Sequence, residues 1–211
     1  MAYDLEEQEQ IEALKAWWRR NGRLVLLAVL AAAVAFAAVT GWRQYQQRQG
    51  EQASQLYAEL ERAAQAADAK KIDELARQIR ERHSGTAYAP LAALLAAKSS
   101  FDAGDLKSSG EHLAWAMEHA ADAETQAVAR LRLAGVRLDE KQYDEALRLL
   151  DQKHPEAFAG LYADLRGDVL VAQDKLPEAR AAYQQALEQL DAEATYRLVV
   201  QAKLDGIGGV N

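Results

Sequence analysis

The chain has 211 residues, half of them hydrophobic, with 25 basic and 32 acidic side chains and a net charge of −7. An acidic chain does not offer the clustered Lys and Arg that nucleic-acid phosphates require. The absence of cysteine excludes a disulfide framework and a thiolate metal site. Only three prolines, abundant Ala, Leu, Glu, Gln and Arg, and few β-branched residues outside one apolar run predict an all-α protein.

Residues 4–20, DLEEQEQIEALKAWWRR, carry acids in the early turns and bases in the last, in keeping with the helix dipole. Ile11, Leu14 and Trp18 share one face. Trp17 and Trp18 beside Arg19 and Arg20 predict a helix lying in the headgroup layer, with docking of a partner as the sharper reading. Asn21-Gly22 is expected to end this helix. Leu24 to Trp42 follows, nineteen residues without a charge, about 28 Å long as a helix and matched to the hydrocarbon thickness of a bilayer. Its leucines, valines and Phe36 contribute about 3–5 kcal/mol of insertion free energy, so it spans without being strongly apolar.

Lys15, Arg19, Arg20 and Arg23 precede the run, against Arg43 and Arg48 after it. That excess predicts a cytoplasmic N-terminus and an exported C-terminal part, with Trp42 and Tyr45 at the far interface. Ala35-Phe36-Ala37 has the small-x-small pattern of a signal-peptidase site, but the long acidic lead favours an uncleaved anchor. The expected layout is a cytoplasmic amphipathic segment at 1–23, a transmembrane helix at 24–42 and a periplasmic domain at 43–211.

Past Trp42 no proline occurs until Pro90, so a helix is expected to continue to about Ala67 with Gly50 its one weak point. Breaks are expected at Asp68–Lys71, Ser84–Thr86, Gly104-Asp105, Ala121-Asp122, Lys141-Gln142, His154-Pro155 and Asp174-Lys175. The intervening helices are short and closely joined, which predicts antiparallel hairpins. Ile72, Leu106, Tyr143 and Leu176, spaced by 34, 37 and 33 residues, are read as equivalent, and a two-helix period near 34 is the mark of a tetratricopeptide-like solenoid. In the clearest copy, 165–187, Gly167, Ala179, Tyr183 and Ala186 supply the small and aromatic residues of a close helix crossing. Ala134, Tyr143, Ala146 and Leu150 do so in the copy at 131–150. In the copy at 94–117 the places fall to Ala97, Gly104, Leu106, Leu113 and Ala116, while 51–83 matches in spacing only. Glu193–Leu204 is expected to cap the stack, with Gly206, Gly208 and Gly209 as a frayed tail.

The run EEQEQIEALKAWWRRNGR, a spanning helix, GWRQYQ and tetratricopeptide-like pairs together resemble the YfgM family of single-pass inner-membrane proteins of Gram-negative bacteria. The likeness covers the whole layout and is most specific over residues 5–45. It implies an ancillary subunit of the Sec translocon, partnership with the membrane-anchored periplasmic chaperone PpiD, a part in handing on exported proteins, and modulation of an envelope stress response. It brings no catalytic residues and no cofactor. The same architecture would also serve an assembly factor for another envelope complex, such as one for cytochrome maturation, or an accessory protein released by cleavage.

Chemistry-bearing constellations are sparse. His112 and His119 are seven apart, two turns along one helix face, where a single metal ion calls for i, i+4 spacing; an ordinary polar face is expected there. No activated nucleophile motif is present, and a non-enzymatic protein is expected. What remains is surface. The first helices of the pairs are expected to line a concave groove through Leu91, Leu94, Lys98 and Phe101, then Val128, Leu131 and Leu138, then Leu161, Asp164 and Val171. Such an apolar lining suits an unfolded segment or a partner helix, unless a short stack closes on itself and buries it.

Overall fold

The computed structural model describes residues 2–191 and 195–208, with side chains described from residue 9 onward. Two compact units divide the chain, residues 1–48 and 49–211, and every regular element among the described residues is helical. In order these are α1 (Ala2–Gln65), α2 (Ala69–Arg82), α3 (Tyr88–Asp102), α4 (Leu106–His119), α5 (Ala123–Asp139), α6 (Tyr143–Leu150), a 3-10 turn (Glu156–Phe158), α7 (Ala159–Ala172), α8 (Leu176–Gln189) and α9 (Tyr196–Gly208).

In the first unit, Asn21-Gly22 does not end a helix. Both residues lie inside α1, where the Asn21 side chain donates to the Trp17 carbonyl at 3.2 Å and Gly22 lies against the Trp18 ring. A mid-helix glycine costs about 1 kcal/mol relative to alanine, which good helix formers on either side absorb. The expected separate helix before the apolar run is thereby corrected: the segment continues into the run as one helix. If Leu24 opens the apolar span, Trp17 stands about 10 Å before it along the axis and Ile11 about 20 Å before it.

The second unit holds four helix pairs and a cap. Leu60 and Ala63 of α1 bury themselves with Ile72, Leu75 and Ile79 of α2 and Ala89, Ala92 and Ala96 of α3. A larger central core joins Leu94 and Ala97 of α3, Leu113 and Ala116 of α4, Leu133, Ala134 and Val136 of α5, and Ala146 and Leu149 of α6. The fourth pair closes against α9 through Ala163, Ala179, Tyr183, Ala186 and Val200. Alanine recurs at these crossings because a methyl group lets two backbones approach while still burying apolar area.

All four intra-pair turns have one geometry. Ala67, Gly104, Lys141 and Asp174 each take positive φ (53°, 80°, 61° and 59°). In each turn the next residue's N–H returns to the carbonyl five residues back, as Asp105 N to Ser100 O at 2.9 Å and Gln142 N to Arg137 O at 2.8 Å, beside a three-residue bond such as Lys141 N to Leu138 O at 2.9 Å. This paired closure is the Schellman motif, which satisfies the carbonyls a helix end leaves free. The residue after the left-handed one then starts the second helix. Asp68 and Asp105 do so by accepting side-chain hydrogen bonds from the N–H groups of Lys71 and Ser108, caps worth about 1 kcal/mol each.

Two expectations about register change. Leu106, Tyr143 and Leu176 are the first residues of α4, α6 and α8, but Ile72 lies three residues inside α2, which begins at Ala69. The left-handed residue, not the first apolar one, marks the repeat. Gly104 accordingly serves a turn rather than a helix crossing. At the other end, α9 starts at Tyr196 and keeps Gly206 and Gly208 within it, so these two are helical rather than frayed; Glu193 and Gly209 lie outside the described residues.

Candidate functional site

In the first unit, one helix is long and apolar enough to cross a membrane, and none of its apolar window is buried. Leu24, Leu27, Leu30, Val34 and Phe36 are all exposed, which costs free energy in water and none in lipid. Aromatic pairs flank the stretch. Trp17 and Trp18 have ring centroids 6.5 Å apart and Trp42 and Tyr45 5.9 Å apart, and all four are exposed.

In the second unit, the first helices α3, α5 and α7 carry every residue predicted to line a groove, in differing environments. Leu91 and Phe101 are exposed and Leu161 is half-buried. Leu94 is core, 8% exposed, and Val128, Leu131 and Leu138 are half-buried against that same core. Their i, i+3, i+4 spacing records the face that packs on the adjacent pair as well as any face open to solvent. Val171 is half-buried against the core shared by α7, α8 and α9.

Asp164 is 2% exposed and is met from α9. Tyr196 donates to it at 2.6 Å, and Lys203 Nζ reaches its two oxygens at 3.0 and 2.9 Å. Lys203 also bonds Asp168 at 2.7 Å, and Asp168 accepts from the Tyr183 hydroxyl at 2.8 Å. Burial alone lowers the Lys203 pKa, but hydrogen bonds to Asp168 and Asp164 outweigh it and the amine stays protonated. Burial, then hydrogen bonding to Asp168 and Asp164 respectively, pushes the Tyr183 and Tyr196 phenols well above their ordinary range. A buried carboxylate held by an ammonium and a phenol is a satisfied network. It pins α9 onto α7 and leaves the predicted groove position Asp164 covered.

A cavity of about 400 Å³ opens between α3 and α5, with α4 beneath. Phe101 and Ala97 of α3, Leu113 of α4 and Val136 of α5 give it apolar walls, and Ser109 lies among them. Sequence reasoning found Lys98 and Phe101 of this lining and missed its floor, because Ser109 and Leu113 sit on a second helix. Gly135 leaves the space open, for a Cβ added there meets nothing within 4 Å.

The two histidines do not share one polar face: His119 is exposed as expected, and His112 is not. His112 is buried, its Nδ1 accepting from Arg80 at 3.0 Å and its Nε2 lying 3.4 Å from Asp73. Arg80 also stacks 4.7 Å over Trp115, which is stacked in turn on His119 at 4.2 Å. Burial first, and the Arg80 charge second, lower the His112 pKa. Among the described residues no three His, Asp or Glu side chains are placed to hold a metal ion.

Comparison with known proteins agrees with this architecture. Residues 15–209 match the family model of the tetratricopeptide repeat-like domain. A protein of Neisseria gonorrhoeae is 32% identical across 98% of this chain and 100% of its own length. One of Haemophilus influenzae is 32% identical across 88% of this chain and 91% of its own. One of Escherichia coli is 28% identical across 95% and 96%. Each of the three is named an ancillary SecYEG translocon subunit.

Proposed function

Because the chain belongs to the YfgM family of tetratricopeptide repeat-like proteins, we propose that it is a non-enzymatic scaffold anchored by one membrane helix at the Sec translocon. The single observation carrying this reading is the end-to-end match with relatives so named. Its N-terminus is cytoplasmic and its repeat domain, residues 43–211, periplasmic. The four bases from Lys15 to Arg23 against two after the span support that orientation.

In this role the repeat surface receives exported polypeptides as they leave the translocon and passes them to a membrane-anchored chaperone of the PpiD kind, with an influence on envelope stress signalling. Exposed apolar side chains such as Leu91 and Phe101 on the first helices support it, because a segment not yet folded presents apolar groups and little fixed shape. Anchoring matters energetically. A modest apolar contact is weak once association costs are met, whereas confinement to one membrane raises the effective concentration of a partner held there towards the millimolar range.

Solubilising the full chain in mild detergent with an affinity tag tests the reading. Recovery of SecYEG and of the PpiD-type chaperone is expected. Recovery of a cytochrome-maturation complex without SecYEG would overturn the assignment.

A further inference from the structure

Gly22 weakens α1 without a turn to serve, and the side chain one turn before it shows what the glycine admits. Long side chains on a helix ordinarily lean back toward its N-terminus. Trp18 leans the other way, its Nε1 lying 3.1 Å from the point that a Cβ on Gly22 would occupy. A side chain at position 22 would push against the ring. The indole is half exposed and reaches down to the level of Gly22, toward the apolar run. Among the described residues its N–H donates to no protein group.

The same side of the helix carries unpaired cations. Arg19 and Arg23 follow one another at i, i+4, and Trp18 and Gly22 do so on the adjoining ridge. Arg20 lies about 160° round the helix from Trp18, and Trp17 about 160° from Arg19. No acidic residue occurs between Glu12 and Glu51. Among the described residues, neither Arg19 nor Arg23 has an ion-pair partner. Arg23 and Arg19 stand about 2 and 8 Å before Leu24 along the axis, at the inner and outer edges of a bilayer's headgroup layer. Leu26 and Leu30, at i+4 and i+8 from Gly22 and both exposed, carry the face on into the apolar run.

We infer that this face of α1 is a binding site for one anionic phospholipid. Arg19, Arg23 and the Trp18 N–H donate to the phosphate oxygens, and an acyl chain lies along Leu26 and Leu30. A zwitterionic lipid would bring its own ammonium against an all-cationic face, whereas a phosphatidylglycerol headgroup brings none. The assignment rests on the reading that Leu24 opens a membrane span, and it holds for either orientation of that span.

The test is native mass spectrometry of the full chain, released from detergent with equimolar phosphatidylglycerol and phosphatidylcholine of the same acyl chains. Retention of one phosphatidylglycerol is expected, in about tenfold preference, the ratio expected of one charge-assisted hydrogen bond. Arg19→Gln removes the preference. Gly22→Leu also removes it, although this variant keeps every charge and favours the helix. Arg20→Gln loses the same charge from another side and keeps the preference, as does Trp17→Phe. Equal retention of the two lipids by the parent, or an unchanged preference in Gly22→Leu, overturns the inference. A loss in Arg20→Gln as large as in Arg19→Gln does so too, because the charge would then act without a site. So does displacement of the lipid by excess glycerol phosphate, which would make this a site for free anions. Entry into phosphatidylcholine nanodiscs is scored separately. A chain that stays outside them refutes the span, whereas one that enters and shows no lipid preference refutes the lipid site alone.

Discussion

Gly167→Ala should destabilise the protein, although alanine is the better helix former. In an unconstrained helix interior the substitution gains about 1 kcal/mol. At this position the new Cβ would lie closer than 3 Å to three ring carbons of Tyr183. The ring has nowhere to go. It is 2% exposed, its hydroxyl is held by Asp168 at 2.8 Å, and Lys203 sits 5.8 Å over its face. Overpacking of this kind costs about 1–3 kcal/mol, and the closeness of the clash puts it at the upper end, for a net loss of about 2 kcal/mol. Gly135→Ala is the control, since its Cβ meets nothing within 4 Å and the propensity gain of about 1 kcal/mol should appear in full. Urea unfolding followed by circular dichroism in detergent measures both. Combining Gly167→Ala with Tyr183→Leu should cost less than the sum of the single changes, because the two sites share one contact. A Gly167→Ala chain as stable as the Gly135→Ala chain would refute the close crossing of α7 and α8.

The left-handed turn residues predict gains instead of losses. Lys141→Gly, at φ 61°, should add about 0.5–1 kcal/mol by relieving the Cβ strain of that conformation, read as a raised melting temperature. Topology follows from the flanking bases: with no native cysteine, Gln55→Cys should react with a membrane-impermeant thiol reagent in intact spheroplasts and Ala13→Cys only after lysis, and the reverse labelling would refute the orientation. His112, buried beside Arg80 with its pKa lowered, binds its proton less readily folded than unfolded. Stability should therefore be full above the ordinary histidine value of about 6.5 and decline as pH falls below it; melting from pH 7 to pH 5 should show this decline, and His112→Gln should flatten it.

The helical class, the spanning run and the turn sites were legible because each rests on local chemistry. Nineteen residues without a charge have few homes other than lipid, and a Gly-Asp or Asp-Lys step between helical patterns marks a turn wherever the rest of the chain lies. The groove was less legible, since it depends on which face of a helix a neighbour covers. Leu94 and Leu91 are three apart on α3, yet one is core and the other exposed. No spacing rule distinguishes a face turned to the next pair from a face turned to solvent. Ser109 escaped notice for a related reason, because an unpaired hydroxyl is defined by atoms that come from other helices. Asn21-Gly22 misled in the other direction: both residues favour a stop, but without a turn to fold into, the helix bears their cost and continues. Glycine shows the principle most directly. Gly104 takes φ 80° in a turn, Gly167 admits the Tyr183 ring and Gly135 leaves a cavity open. The repeat reading assigns Gly104 and Gly167 alike to small positions and passes over Gly135. Backbone φ and the atom that a Cβ would meet, taken together, separate a residue demanded by the backbone, one demanded by a neighbour, and one that can be replaced while α5 keeps its fold.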